Sequence, residues 1–70
     1  MKTIRVVIVD DQELVRKGFK LIISSFSGMA VAFEAESGGD LLQQLKAKTI
    51  RQLPHIILLD LSMEGMDGVE

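Results

Sequence analysis

The residues of this 70-residue chain that are best suited to chemistry are acids that directly follow apolar segments. Asp10 and Asp11 follow the apolar run at residues 6–9, and Asp60 follows a second apolar run at residues 56–59. If both runs are parallel strands of one sheet, the three carboxylates meet at one edge, where their repulsion favours a bound cation. Magnesium prefers such oxygen ligands, whereas zinc would need His or Cys, and the chain has one His and no Cys.

A carboxylate beside a divalent cation can also act as a nucleophile toward a phosphoryl donor and form an acyl phosphate. Asp60 is the candidate nucleophile, and Asp10 and Asp11 are the candidate metal ligands. Since adjacent side chains diverge at a strand end, we expect Asp11 to contact the metal directly and Asp10 to do so through water. The alternative for each of these two acids is structural, because Asp at a strand end often caps the following helix.

The elements that must position these acids are predicted to alternate as strand, helix, strand, helix, strand. The pattern of apolar residues predicts strands at residues 3–10, 30–36 and 55–59 and helices at residues 12–26 and 41–48. Gly28 suits the left-handed residue that commonly ends a helix, and residues 37–40 supply cap chemistry for the second helix. Right-handed crossovers then give an open parallel α/β sheet with helices on both sides and a crevice at the carboxyl ends of the strands.

The faces of the first predicted helix and the third predicted strand indicate how the sheet is covered. One apolar stripe runs along the helix, at Leu14, Val15, Phe19, Ile22, Ile23 and Phe26. Arg16, Lys17 and Lys20 are predicted to form the solvated face opposite. The strand at residues 55–59 is apolar enough to be covered on both faces, yet it lies at a sheet edge if the strand order is 2-1-3.

Residues 67–70 resemble the first turn of a further helix, with Asp67 in a cap position and Met66 before it. We therefore expect more sequence to follow, or missing strands to come from a partner molecule by dimerisation or strand exchange at the third strand.

The composition excludes several classes of function. Ten acidic and eight basic residues give a formal net charge of -2, so no strong basic field attracts nucleic acid to this segment. No apolar run approaches the roughly 18 residues that a membrane span needs, and the N-terminus does not resemble an export signal. Because cysteine is absent as well, we expect a cytoplasmic protein without membrane contact.

Two motifs together resemble the receiver domains of two-component response regulators. They are Val-Ile-Val-Asp-Asp at residues 7–11 and Ile-Leu-Leu-Asp-Leu-Ser-Met-Glu-Gly-Met-Asp-Gly at residues 57–68, and the similarity spans nearly the whole chain. The resemblance implies a flavodoxin-like, doubly wound sheet of order 2-1-3, here truncated to βαβαβ over residues 1–70. It also implies Asp60 as phosphoacceptor, with Asp10, Asp11, Asp60 and the backbone carbonyl of Ser62 as ligands of Mg²⁺.

The same resemblance implies partners and a role. A sensor histidine kinase would supply the phosphoryl group, and the residues around Asp60 are similar to regulators with a helix-turn-helix DNA-binding output domain in a longer chain. The segment would then be a signalling switch rather than a turnover enzyme. Its solvated basic helix face, at Arg16, Lys17 and Lys20, could contact an acidic kinase surface.

The sequence departs from the family pattern in several places. Glu64 stands where a proline usually follows the methionine. We expect phosphorylation to be slower, because Glu allows the backbone of this loop more freedom than Pro does and adds a negative charge near the site. His55 stands where an Asp is common, and we expect a partly solvated residue at the start of the third strand. The Ser or Thr and the Lys that end the fourth and fifth strands of the family have no counterpart, and Lys46 and Lys48 belong to the second helix instead.

Two other functions stay open as alternatives. An interaction module or fragment could keep the fold without being phosphorylated. A Mg²⁺-dependent phosphohydrolase would also place an Asp nucleophile at a strand end, but enzymes that resemble haloacid dehalogenases need Asp-x-Asp after the strand. Neither Asp10-Asp11-Gln12 nor Asp60-Leu61-Ser62 provides that pattern, which makes the phosphohydrolase the weaker alternative.

Overall fold

The computed structural model describes residues 2–59 of the chain, and its elements follow the predicted order. The strands are β1 (Ile4–Val9), β2 (Met29–Ala35) and β3 (Ile56–Leu59), and the helices are α1 (Glu13–Ser24), α2 (Gly38–Lys46) and a short 3-10 helix (Ile50–Gln52). The predicted βαβαβ order is therefore confirmed. The 3-10 helix lies between the second predicted helix and the third predicted strand, where apolar spacing carries no signal for so short an element.

The three strands form one parallel sheet in the order β2-β1-β3, as predicted. At the carboxyl end of the central strand, Val9 is paired with Ala35 on one side and with Leu59 on the other. The pairing of β1 with β2 shifts register between Val6 and Val7, and the pairing with β3 is regular. The three strands consequently end at a common edge of the sheet, which is where the crevice of such folds lies.

The core explains why β1 is apolar on both faces. Because successive strand residues point to opposite faces, Val6 and Ile8 pack against Ile23 of α1 on one side. On the other side Val7 and Val9 pack with Ala35, and the partly buried residues against them are Phe33 and Leu41. The two helices therefore cover opposite faces of the sheet, and the buried central strand holds its carboxyl end firmly in place.

Helix α1 faces the sheet with only part of the predicted stripe. Ile23 is buried and Phe19 packs beside it, but Leu14 is 81% exposed and Ile22 is 55% exposed. Arg16, predicted to be solvated, has a side chain that is only 15% exposed. The spacing of Arg16, Phe19 and Ile23 puts them on one helical face, so the sheet-facing side combines apolar residues with a cation. The apolar pattern could not predict that Arg16 lies on the sheet-facing side, since α1 has apolar residues on two sides.

The segments between elements are held by local contacts. Gly28 has a φ of 88°, as predicted, but α1 already ends at Ser24, so Gly28 turns the chain into β2 instead of ending the helix. Its carbonyl accepts a 2.7 Å hydrogen bond from the backbone N–H of Ile4. Ser37 is the N-cap of α2, and its Oγ accepts from the N–H of Asp40 at 3.0 Å, which confirms the predicted cap.

Arg5 and His55 join the amino-terminal ends of β1 and β3. His55 Nδ1 accepts from the backbone N–H of Arg5 at 2.9 Å, and the N–H of His55 donates to the Arg5 carbonyl, also at 2.9 Å. Arg5 Nη2 donates to the carbonyls of Arg51 and Leu53, at 2.9 and 2.7 Å, and so holds the 3-10 helix. His55 is an exposed residue immediately before β3, one residue outside the strand that was predicted to begin with it.

Strand β3 lies at the predicted edge of the sheet, and its four residues are 36–44% exposed. Helices α1 and α2 contact β1 and β2 for the most part, so the predicted covering of both faces of β3 is not supplied within residues 2–59. Strand exchange or dimerisation at this edge stays a prediction, and the predicted helix start at residues 67–70 lies outside the described residues. Within the described range, neither helix has the length and hydropathy that a membrane span requires.

Candidate functional site

Asp10, the first acid after β1, is firmly anchored in the described part of the site. It is 1% exposed, and its backbone N–H donates to the carbonyl of Ala35 at 3.0 Å, which extends the pairing of β1 with β2. Its side-chain Oδ1 accepts from the N–H of Gln12 at 2.8 Å. This local contact forms the turn from β1 into α1, so one carboxylate oxygen of Asp10 helps to shape the site.

The alternative that Asp10 or Asp11 caps α1 is wrong. The N-cap residue is Gln12, and its own side chain forms no cap hydrogen bond. Asp10 instead binds the N–H two residues ahead, outside the first helical turn. Asp11 is exposed, so its carboxylate is accessible to a ligand in solution.

A network of charged side chains joins α1 to β2 beside this turn. Arg16 Nε donates to Glu34 Oε1 at 3.0 Å, and Lys20 Nζ lies 2.9 Å from Glu34 Oε2. Arg16 Nη1 also donates to the carbonyl of Asp10 at 2.7 Å, and Gln44 Nε2 donates to the carbonyl of Glu34 at 2.9 Å. Sequence reasoning missed this network. The available signal was a lone Glu in an apolar strand together with two cations four residues apart on one helix.

The two cations lower the pKa of Glu34. The hydrogen bond from Lys20 is the largest cause, and the hydrogen bond from Arg16 and both positive charges act in the same direction. Partial burial acts against them and raises the pKa, but the net result lies below the ordinary value of 4.5. Glu34 is therefore held in its charged form, and this charge stabilises the folded state.

The stability contributed by Glu34 is expected to depend on pH. Because its folded-state pKa is lowered, the contribution is fully present above the ordinary value of 4.5 and is lost as pH falls through the folded-state value. We expect Glu34→Gln to reduce the free energy of unfolding by on the order of 1 kcal/mol near neutral pH, a figure limited by solvent screening of the pairs. Urea denaturation at several pH values between about 7 and about 3 measures this difference.

The matched control is Glu36→Gln, since the described part of the chain shows no ion pair at Glu36. The difference between Glu34→Gln and the unsubstituted protein should shrink toward low pH, and that of Glu36→Gln should stay small throughout. A Glu34→Gln difference that grows as the pH falls would contradict the ion-pair explanation.

Asp60, Ser62 and Glu64 lie outside the described residues, so of the predicted ligands the structure describes Asp10 and Asp11. Leu59, the last described residue, is paired with Val9, the residue before Asp10. Lys46 ends α2, but Lys48 lies two residues beyond it and so is outside the second helix, contrary to the prediction. The ammonium group of Lys48 is 4.8 Å from the centroid of the Phe33 ring.

The donors at this edge suit a hard cation. Asp10 and Asp11 offer carboxylate oxygens, which Mg²⁺ prefers, and His55 is engaged with Arg5 at the opposite end of β1. Residues 2–59 contain no group of three or more His, Cys, Asp or Glu side chains that could hold a metal. The described residues therefore fit Mg²⁺ as part of a ligand set, which needs donors beyond this pair.

Comparison with known families identifies the class of protein. Residues 6–70 match the response regulator receiver domain, and the chain belongs to this family. This family acts in two-component signalling, as a signalling domain rather than a turnover enzyme. Receiver domains in general bind Mg²⁺ for phosphorylation, interact with histidine kinases and usually carry output domains.

Several curated relatives are similar over nearly the whole chain. Response regulator GacA of Pseudomonas protegens is 40% identical over 67 residues, which are 96% of this chain and 30% of that protein. Response regulator protein VraR of Staphylococcus aureus is 44% identical over 68 residues, 97% of this chain and 31% of that protein. The chain thus spans about 30% of the length of these relatives. No solved structure matches the chain.

Proposed function

We propose that this protein is a response regulator whose receiver accepts a phosphoryl group on Asp60 from a histidine kinase, in a Mg²⁺-dependent reaction. The observation that carries the proposal is the pairing of Val9 with Leu59 at the carboxyl ends of β1 and β3. Asp10 and Asp60 are the next residues in the sequence after this pair. Parallel strands that end side by side bring their following residues to one edge of a sheet, where the family carries its site.

In the proposed reaction, a carboxylate oxygen of Asp60 attacks the phosphorus of the kinase phosphohistidine. A P–O bond forms to Asp60, the P–N bond breaks, and the histidine nitrogen leaves with the bonding electron pair and is later protonated. Asp10 and Asp11, with Asp60 and the Ser62 carbonyl, would hold Mg²⁺. When bound, this ion neutralises charge on the phosphoryl oxygens and the acceptor carboxylate.

We also propose that residues 1–70 are the first part of a receiver domain, comprising three strands, two helices and the start of a third helix. Two observations support this assignment. The apolar residues of β3 are exposed, and the chain aligns with only 30–31% of the length of the two relatives. The longer protein would carry a helix-turn-helix DNA-binding output domain and would act in the cytoplasm, as the residues around Asp60 and the composition suggest.

The proposed function is tested by incubating the full-length protein with acetyl phosphate and Mg²⁺. Intact mass spectrometry should show one added phosphoryl group per chain, and chelation of Mg²⁺ should prevent it. Repeated release of phosphate by each chain would instead indicate the phosphohydrolase. A chain that neither gains a phosphoryl group nor releases phosphate would be an interaction module.

A further inference from the structure

Arg16 contacts the peptide group that joins the two acids of the site. Its Nη1 donates a 2.7 Å hydrogen bond to the carbonyl of Asp10, and that carbonyl belongs to the peptide between Asp10 and Asp11. Because a peptide group is planar, holding its oxygen also restricts the position of the next Cα atom, that of Asp11. The direction in which the Asp11 side chain leaves the backbone therefore depends on Arg16.

The peptide groups on both sides of this one are held by other contacts. The N–H of Asp10 donates to the carbonyl of Ala35 at 3.0 Å, and the N–H of Gln12 donates to Asp10 Oδ1 at 2.8 Å. Arg16 completes the set for the middle peptide. Asp11 thus combines an exposed side chain with a backbone held on each side, an arrangement that preorganises a carboxylate for a ligand.

The guanidinium group of Arg16 is itself held in place. Its Nε donates to Glu34 Oε1 at 3.0 Å, and the Arg16 side chain is 15% exposed. A guanidinium has several N–H donors in a rigid plane and can bind a carboxylate and a carbonyl at once, whereas an ammonium group presents a single point charge. Glu34 also balances the positive charge of Arg16, which would otherwise oppose a divalent cation nearby.

We propose that Arg16 is a positioning residue for the divalent cation. It acts through the Asp10–Asp11 peptide, with Glu34 holding the guanidinium group in the orientation that this contact requires. This inference rests on the proposed function, since it takes Asp10 and Asp11 as ligands of Mg²⁺. It assigns to Arg16 and Glu34 a part in metal affinity beyond their part in stability.

The test measures Mg²⁺ affinity of the full-length protein by isothermal titration calorimetry, without any phosphoryl donor. Arg16→Ala should weaken the affinity by about tenfold or more, the size of effect that partners of metal ligands usually have. Arg16→Lys should restore little of it, because an ammonium group cannot reproduce the two-sided contact. Lys20→Ala is the matched control, since Lys20 binds Glu34 but not the Asp10 carbonyl, and it should change the affinity by less than about twofold.

A second readout is the backbone amide resonance of Asp11 in the metal-free protein. It should shift in both Arg16 variants and stay near its original position in Lys20→Ala. If urea denaturation shows that Arg16→Ala is not folded, the Mg²⁺ affinity and the Asp11 amide resonance of Arg16→Lys test the inference instead. Unchanged affinity in the Arg16 variants would overturn this inference and leave the proposed function intact. An unsubstituted protein that binds no Mg²⁺ would overturn the proposed function, and the inference with it.

Discussion

An Asp60→Asn variant of the full-length protein is expected to carry no phosphoryl group after incubation with acetyl phosphate and Mg²⁺. The neutral amide of Asn is a far weaker nucleophile than a carboxylate and cannot form the acyl phosphate. The substitution also removes a negative charge from the proposed ligand set, so Mg²⁺ should bind more weakly. Intact mass spectrometry of both proteins after the same incubation measures the effect.

Asp40→Asn is a matched control for this substitution. Asp40 Oδ2 accepts a 3.1 Å hydrogen bond from the N–H of Glu36, and the amide oxygen of Asn can accept the same bond. We expect Asp40→Asn to be phosphorylated like the unsubstituted protein. Phosphorylation of Asp60→Asn to the same extent as the control would show that the acceptor is another residue.

An Ile8→Ala variant is expected to lose about 2–5 kcal/mol of stability, the usual cost of truncating a buried Ile. Ile8 is a residue of β1 that is 1% exposed, and its side chain packs with Val6 of the same strand and Ile23 of α1. Because whole domains are stable by only about 5–15 kcal/mol, and small ones lie at the low end, this loss should leave much of the domain unfolded. Urea denaturation followed by circular dichroism measures the change in the free energy of unfolding.

Ile50→Ala makes the same chemical change at a residue that is 86% exposed. It should alter stability by less than about 0.5 kcal/mol, as substitutions at exposed positions usually do. Similar losses for the two variants would mean that Ile8 is not in the core of the folded protein, and the topology given for β1 would then be wrong.

The sheet could be predicted because its strands have distinct sequence patterns. β1 is apolar on both faces, since it is the central strand and each face meets a helix. Ile56–Leu59 is too short for a helix and is followed in the sequence by an acid, and this pattern predicted β3. The order β2-β1-β3 was implied by the resemblance to receiver domains. Because crossovers between parallel strands are right-handed, this order places the two connecting helices on opposite faces of the sheet.

The side of α1 that faces the sheet was predicted only in part, because this helix is apolar on more than one side. Phe19 and Ile23 were predicted correctly to face the core. Leu14 and Ile22 belong to the predicted stripe yet are 81% and 55% exposed, and Ile23 is the one α1 residue that the structure buries within residues 2–59. Apolar periodicity weighs hydrophobic area alone. It therefore predicted that Arg16 is exposed to solvent. A guanidinium group can nevertheless be largely buried between a helix and a sheet when a carboxylate and a carbonyl accept its hydrogen bonds, as Glu34 and Asp10 do here.

Contacts between distant residues were likewise beyond sequence reasoning. His55 was predicted to begin the third strand and lies one residue before β3. Its hydrogen bonds with Arg5, 50 residues away in the sequence, depend on the register of β1 and β3. The hydrogen bond between Arg16 and the Asp10 carbonyl depends on how α1 is oriented after the turn at Gln12. The residue type limits which hydrogen bonds a side chain can form, and the tertiary structure decides which partner it meets.

Asp10, Asp11 and Asp60 are proposed to bind one divalent ion together, and paramagnetic broadening of backbone amide resonances measures this directly. Mn²⁺ replaces Mg²⁺ in oxygen-ligand sites and broadens the resonances of nearby nuclei. We predict that substoichiometric Mn²⁺ broadens the amides of Asp10, Asp11 and Asp60 together and leaves that of His55, at the opposite end of the sheet, sharp. Broadening that spares Asp60 while affecting Asp10 and Asp11, or that centres on other acids, would contradict the account.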